Sequence, residues 1–259
     1  MREVLDFEYK STSEFSQPVY NHSFLLRCTP ENSKGQNVKV MASNTQIAVE
    51  TQNFASLQTA IDGFGNSTMF GLIKDYHNTF SVISSGRVEI DNSLTDKTFS
   101  PVFKYPSPLT MPNAELIDFA KTFAENSAEQ TLKNLGAAVH DKIAYKPAVT
   151  SISTTSSEVF AQKSGVCQDL SHVLITCLRI NGIAARYVSG YVKGLKLSHA
   201  WTEAFYDGCW HAFDATENFF VTNGYIKIAH GRDAADCPLN RGIYYGNAIE
   251  TMNIEIEVK

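Results

Sequence analysis

Cys167, His199 and Asp214 are the residue types of a nucleophilic centre for acyl chemistry, and they follow one another in the second half of the chain. Such chemistry needs a thiol of lowered pKa, a base beside it, and a third group that fixes the imidazole tautomer. Cys167 follows Gly165-Val166, where a loop gives way to an apolar helical pattern. A thiol there faces unpaired N–H groups and the positive end of the helix dipole, which favours the thiolate. A cysteine in such a pattern can equally be a small buried hydrophobe, so its two companions decide. His199 opens a strand in SHAWTEAFY, and Asp214 ends the next one in GCWHAFDAT, with Asp207-Gly208 between them as a hairpin turn. Antiparallel pairing about that turn brings together residues whose numbers sum to about 415. Residue 216 then opposes His199, and Asp214, two places along on the same face, is its diagonal neighbour within hydrogen-bond reach.

The surrounding elements are legible in the same way. After Cys167, the residues Leu170, Val173, Leu174, Cys177 and Leu178 recur at helical spacing, and Asn181-Gly182 stops the helix. Strand-like runs come next at Ala185 to Val192, His199 to Tyr206 and Trp210 to Asp214. Upstream, Asn113 caps a helix through Ala114, Leu116, Ile117, Ala120 and Phe123, and Leu132 to Ile143 has a second helical pattern. Helices followed by an antiparallel sheet predict an α+β domain. Residues 1–105 read instead as short strands, among them Asn37 to Met41, Ile47 to Thr51 and Phe80 to Ile90, separated by Pro, Gly, Asn and Ser clusters. The expectation is an N-terminal β-sandwich, 1–105, and a catalytic domain, 106–259, divided where Pro106, Pro108 and Pro112 crowd the segment Phe103 to Pro112.

Composition narrows the function classes. A formal charge of −5 from interspersed acids and bases leaves no basic stretch built to neutralise phosphates, so nucleic acid is not expected as a partner. The first residues carry acids and no apolar core of the signal-peptide kind, and no 18-residue apolar run suggests a membrane span. The five cysteines are odd in number and widely spaced, which favours reduced thiols and a cytoplasmic setting. Cys209, His211 and Cys237 could suggest a metal, but no CxxC or HxxxH pair accompanies them, so neither metal nor cofactor is expected.

The stretch SGVCQDLSHVLITCLRINGIAARYVSGY, then SHAWTEAF, WHAFDATEN and HGRDAADCP, resembles the bacterial transglutaminase-like superfamily, whose members are often described as candidate cysteine proteases. DGFGN, LRCTPENSKGQ and HNTFSVISSGRVEI similarly resemble the bacterial transglutaminase-like N-terminal region. The resemblance implies a papain-like or transglutaminase-like α+β fold with Cys167 as nucleophile, His199 as base and Asp214 as third member. It implies a thioester-forming enzyme acting on peptide or carboxamide bonds of a peptide or protein substrate. Hydrolysis is the expectation, with transfer to an amine or a non-catalytic peptide-binding scaffold as alternatives. One departure is Ala215, where the family usually has proline after the aspartate. Tyr145 is a candidate oxyanion donor beside the Cys167 backbone N–H. Asp169 and His172 fit capping and local hydrogen bonding at the helix start; Trp201 fits a core, and Glu203 a supporting role on the His199 face. Gly231-Arg232-Asp233 matches a GRD segment of the family, expected to order a loop near the cleft.

Overall fold

Alternating apolar and polar residues draw out a 25-residue first strand, β1 (Arg2–Leu26), in the computed structural model, which describes residues 2–30, 38–49, 57–91 and 93–259. Leu5, Phe7, Tyr9, Phe15 and Val19 are buried on one phase of the strand; beyond Val19 the buried set moves to His22, Phe24 and Leu26. The change of phase coincides with Asn21, whose φ is 47°, and with a register break between Tyr20 and Ser23; Pro18 lies within an earlier break, between Glu14 and Val19, as expected where proline withdraws an N–H from the ladder. Around β1 run β2 (Val38–Val49), β3 (Gln58–Ile61), β4 (Ser67–Ile73) and β5 (His77–Asp91), in the antiparallel order β2-β5-β1-β4-β3. The kinked β1 turns this sheet into two leaves that share a core, with Phe24 of one leaf 4.9 Å from Phe80 of the other. Met41 and Ile47, expected in separate strands, both belong to β2, whose pattern is interrupted by a bulge between Val40 and Ala42. Asn37, Thr51 and part of LRCTPENSKGQ lie outside the described residues.

The helical half contains α1 (Ala114–Thr122), α2 (Ala128–Lys142), the short β6 (Ala144–Tyr145), α3 (Ser156–Gln162), the short β7 (Ser164–Gly165) and α4 (Cys167–Ile180). Asn113 Oδ1 accepts from Leu116 N–H, Ser127 caps α2 in the same way, and Thr155 and Glu158 form a reciprocal capping box on α3. α4 is buried along nearly its whole length and is the central helix of the apolar cluster. It lies on a sheet of β8 (Ala184–Val192), β9 (His199–Tyr206), β10 (Cys209–Asp214), β11 (Phe219–Phe220) and β12 (Tyr225–Gly231), ordered β11-β10-β9-β8-β12. Ala200 and Ala204 pack in the cluster that contains α4, and Thr202 Oγ1 donates to Ser171 O. Trp201 and Glu203 take the opposite face. The buried Arg179 of α4 fastens the proline-containing segment, donating to Phe103 O at 3.0 Å and Thr110 Oγ1 at 2.7 Å.

The chain ends by returning to its beginning. β13 (Asn240–Tyr245) pairs with β1 from Tyr20 to Leu26, and β14 (Glu250–Val258) pairs with β1 from Phe7 to Phe15. The core between the two sheets is continuous: Tyr191, Ile226 and Ile228 of the second sheet join Leu5, Phe7 and Ile256 of the first. Tyr191 stacks on Tyr9 with ring centroids 5.8 Å apart. No helix among the described residues is long and apolar enough to cross a membrane.

Candidate active site

Cys167 is the first residue of α4 and is partly exposed. The chain just before it is gripped on two sides. Asp169 Oδ2 accepts from Val166 N–H at 2.8 Å and from Thr150 Oγ1 at 2.7 Å, so this carboxylate closes the helix start. Burial pushes the Asp169 pKa up, while those hydrogen bonds pull it down. β6 and β7 pair in parallel, Tyr145 beside Gly165, and Lys146 N–H donates to Gly165 O at 2.7 Å. Gly165 permits this closeness: a Cβ there would lie 2.6 Å from Asp169 Cβ.

His199 and Asp214 come from the predicted hairpin in its predicted register. Tyr206 pairs with Cys209 and Thr202 with Phe213, every pair summing as the Asp207-Gly208 turn requires. Both turn residues have positive φ, 48° and 77°, the type I′ geometry that matches the strand twist. His199 Nε2 donates to Asp214 Oδ2 at 2.6 Å, leaving Nδ1 as the ring nitrogen for Cys167. Burial works to lower the His199 pKa, but hydrogen bonds to Asp214 and Cys167 and their charges outweigh it and raise it to about 10. Burial likewise opposes ionisation of Asp214, yet the His199 partner, the Tyr225 hydroxyl and a backbone amide hold its carboxyl below the usual range. Asp214 is fully enclosed, with Tyr225 Oη donating to Oδ2 at 2.8 Å and Thr216 N–H and Glu217 N–H donating to Oδ1. Where the family usually has proline, Ala215 is buried, its carbonyl 3.3 Å from His140 Nδ1, so the turn is tied without the proline ring.

Cys167 and His199 open onto a cleft of about 650 Å³, lined also by Tyr145, Gln168 and Tyr187, among others. Tyr145 stands at its mouth, 55% exposed, with its pKa raised by burial and then by the charges of Cys167 and Glu217. Trp201 is buried and meets Tyr225 edge-on at 5.3 Å, supporting the hydroxyl that holds Asp214. Glu203 faces away from the cleft into an ionic cluster, bonded to Arg186 Nε at 2.5 Å and Lys227 Nζ at 2.7 Å, with Asp96 on the same arginine. His172 Nε2 accepts from Ala234 N–H at 3.1 Å, and burial lowers its pKa to about 4. The GRD segment does order the cleft wall: Asp233 accepts from Leu109 and Ala235 N–H, while Arg232 pairs with Asp236 at 2.8 Å beside the lining residues Ala234 and Ala235.

Sequence reasoning missed Tyr225 and the contribution of β13 and β14, whose Asn240, Arg241 and Ile254 line the cleft. The Asn223-Gly224 turn before the apolar run YIKIAHG signals a strand, but nothing local indicates that its tyrosine reaches Asp214. Among the described residues no group of three or more His, Cys, Asp and Glu is gathered for a metal ion.

Residues 117–215 match the family model of the transglutaminase-like superfamily, and residues 5–89 match that of the bacterial transglutaminase-like N-terminal region. An uncharacterized protein of Mycobacterium tuberculosis is 28% identical, the alignment covering 92% of this chain and 85% of that protein. One of Mycobacterium leprae is 26% identical over 97% of this chain and 94% of its own. The fold matches the crystal structure of a “putative cysteine protease” from Cytophaga hutchinsonii with a TM-score of 0.79 at 24% identity, covering 100% of this chain and 92% of the other. The two matched segments hold β2 to β4 with most of β1 and β5, and α4 with the hairpin that carries His199 and Asp214: residues 117–215 belong to the transglutaminase-like superfamily and residues 5–89 to the bacterial transglutaminase-like N-terminal region.

Proposed function

We propose that this protein is a cysteine-nucleophile acyl-transfer enzyme that opens peptide or carboxamide bonds through a thioester on Cys167. The observation that carries the reading is the 2.6 Å contact of His199 Nε2 with the buried Asp214, which leaves Nδ1 toward a thiol at a helix start inside one cleft. The Cys167 thiolate adds to the carbonyl carbon, and the developing oxyanion meets first-turn amides that have no intrahelical acceptor, together with the Tyr145 hydroxyl at the cleft mouth. The C–N bond breaks as His199, protonated with its raised pKa, gives its proton to the departing amine. Water then enters with His199 as base, the acid product leaves, and the proton returns to the imidazole. Asp214, ionised throughout, holds the ring and its charge.

Water is proposed as the ordinary acceptor, because aminolysis needs in addition a pocket that admits the amine and excludes water. Incubating the protein with a mixed peptide library, with and without a labelled amine, separates the possibilities by mass spectrometry. Cleavage that disappears in Cys167→Ala supports the reading. Predominant amine incorporation replaces hydrolysis by transamidation, and an inert protein with intact fold and bound peptide favours a scaffold.

A further inference from the structure

Every arginine of the chain except Arg241 is held by a carboxylate or by backbone carbonyls: Arg2 and Arg27 by Asp91 and Asp62, for example, and Arg179 by carbonyls. Arg241 enters no ion pair among the described residues, its side chain is exposed, and it lines the cleft that holds Cys167. Among the described residues it is also the one side chain of fixed charge in that lining. Its backbone is not loose. β13 pairs Arg241 with Leu25 of β1, Asn240 Nδ2 donates to Ser11 Oγ at 3.1 Å, and Arg27 N–H donates to Leu239 O at 2.8 Å. The same cleft presents the apolar side chains of Leu239 and Ile254, and of Ile152 and Leu197, exposed at 87% and 63%.

We propose that Arg241 is a specificity residue that binds a carboxylate of the substrate, so that the cleft selects peptides combining apolar side chains with one negative charge. A guanidinium on a fixed strand can grip a carboxylate with two parallel hydrogen bonds, and the attraction strengthens as a seated peptide displaces water from the cleft. An uncharged or basic peptide would instead leave the cation unpaired as the cleft loses water. The partner carboxylate is an acidic side chain or a free C-terminus, which share this chemistry. Binding itself is independent of the acyl-transfer reading, on which the inference rests only for the chemical steps after the peptide is seated.

The test uses full-length protein carrying Cys167→Ala and calorimetric titration with alanine–leucine hexapeptides. These hold glutamate, glutamine or lysine at each position in turn, with free or amidated C-termini. We expect about tenfold or tighter binding of the best carboxylate peptide over its amide counterpart, a preference that falls with added salt. Adding Arg241→Gln should erase the preference, and Arg241→Glu should turn it toward lysine-containing peptides. Dependence on glutamate position with an amidated end assigns the charge to a side chain; dependence on the free end alone assigns it to the terminus. Equal binding of charged and neutral peptides, or a preference that survives Arg241→Gln, overturns the proposal. Unmutated protein that cleaves peptides without charge preference keeps the acyl-transfer reading and removes this one. Arg241-dependent binding without turnover does the reverse, and absence of both binding and turnover overturns both.

Discussion

Asp214 meets His199 Nε2, Tyr225 Oη and two backbone amides, so four donors converge on one enclosed carboxylate. An ion held in this way cannot be replaced by an amide without reversing at least one donor–acceptor relation. Asp214→Asn should therefore lower turnover steeply, by an amount approaching the ~10⁴-fold of a comparable serine triad. It should also move a pH limb. The folded pKa of His199 is raised to about 10 from an ordinary value near 6.5, so the imidazolium is complete below the ordinary value and is lost as pH rises through about 10. Activity measured as kcat/KM should hold through neutral pH and decline on that alkaline side, and Asp214→Asn should bring the decline down toward 6.5. A variant with near-normal turnover and an unmoved limb would remove Asp214 from the mechanism. The thiols supply a second prediction. Burial raises the pKa of Cys28 to about 11 and of Cys177 to about 12, and pushes that of Cys237 up as well. Iodoacetamide near neutral pH should label Cys167 first, because buried neutral thiols are poor nucleophiles. The informative competitor is Cys209, half-buried with its Sγ 3.2 Å from His211 Nε2, and faster labelling there by peptide mapping would count against the assigned nucleophile. The meeting of His199 with Asp214 is legible in the sequence because the hairpin linking them is local. That of Tyr225 is not, since its place beside Asp214 depends on a strand order that skips from β10 through β9 and β8 to β12.

The elements that position these residues differ in how far apart their causes lie in the chain. α4 and the β9–β10 hairpin arise from periodicity, a cap and a two-residue turn, all within a few residues, and each appears where the sequence places it. α3, only seven residues long, has too few turns to show a face, and β13 and β14 owe their strand state to β1 more than two hundred residues earlier. Glycines reveal the tightness of the packing. Gly190 of β8 pairs with His199, and a Cβ there would run into the Ile226 carbonyl as well as the Trp201 ring at 2.5 Å. The carbonyl belongs to the neighbouring strand and cannot swing away as a side-chain tip could. Gly190→Ala should cost about 1–3 kcal/mol through overpacking. It should also lower kcat beyond the loss of folded protein, because the displaced Trp201 supports Tyr225 and thereby Asp214. Denaturant titration alongside active-site counting distinguishes the two effects, and wild-type stability in the alanine variant would mean that the strands separate freely.

At the scale of the whole molecule, the division expected after residue 105 came from a change in composition, whereas the contacts run across it. β14 adds Ile256 and Val258 to the core of the first sheet, and Ile256 N–H donates to Lys196 O at 2.9 Å, in the loop that leads to His199. The same core takes Tyr191, Ile226 and Ile228 from the second sheet, and Tyr191 Oη donates to Cys28 O at 3.0 Å. A sequence cannot advertise such a closure, because each strand of the pair is amphipathic in the same way whichever partner it meets. The closure has a thermodynamic consequence. If the two sheets share one core, damage to the last strand must be felt by the sheet that carries the candidate site. Ile256→Ala removes a side chain only 4% exposed and should destabilise by about 2–5 kcal/mol. The chain's two tryptophans, Trp201 and Trp210, both lie in β9 and β10, so their fluorescence reports the second sheet while the substitution sits in the first. Unfolding followed by tryptophan fluorescence and by far-ultraviolet circular dichroism should shift together to lower denaturant, as a single cooperative unit requires. A tryptophan transition that stays in place while the circular dichroism signal divides into two steps would show that the sheets unfold independently, and that the β13–β14 wall of the cleft can detach without loss of the hairpin holding His199 and Asp214.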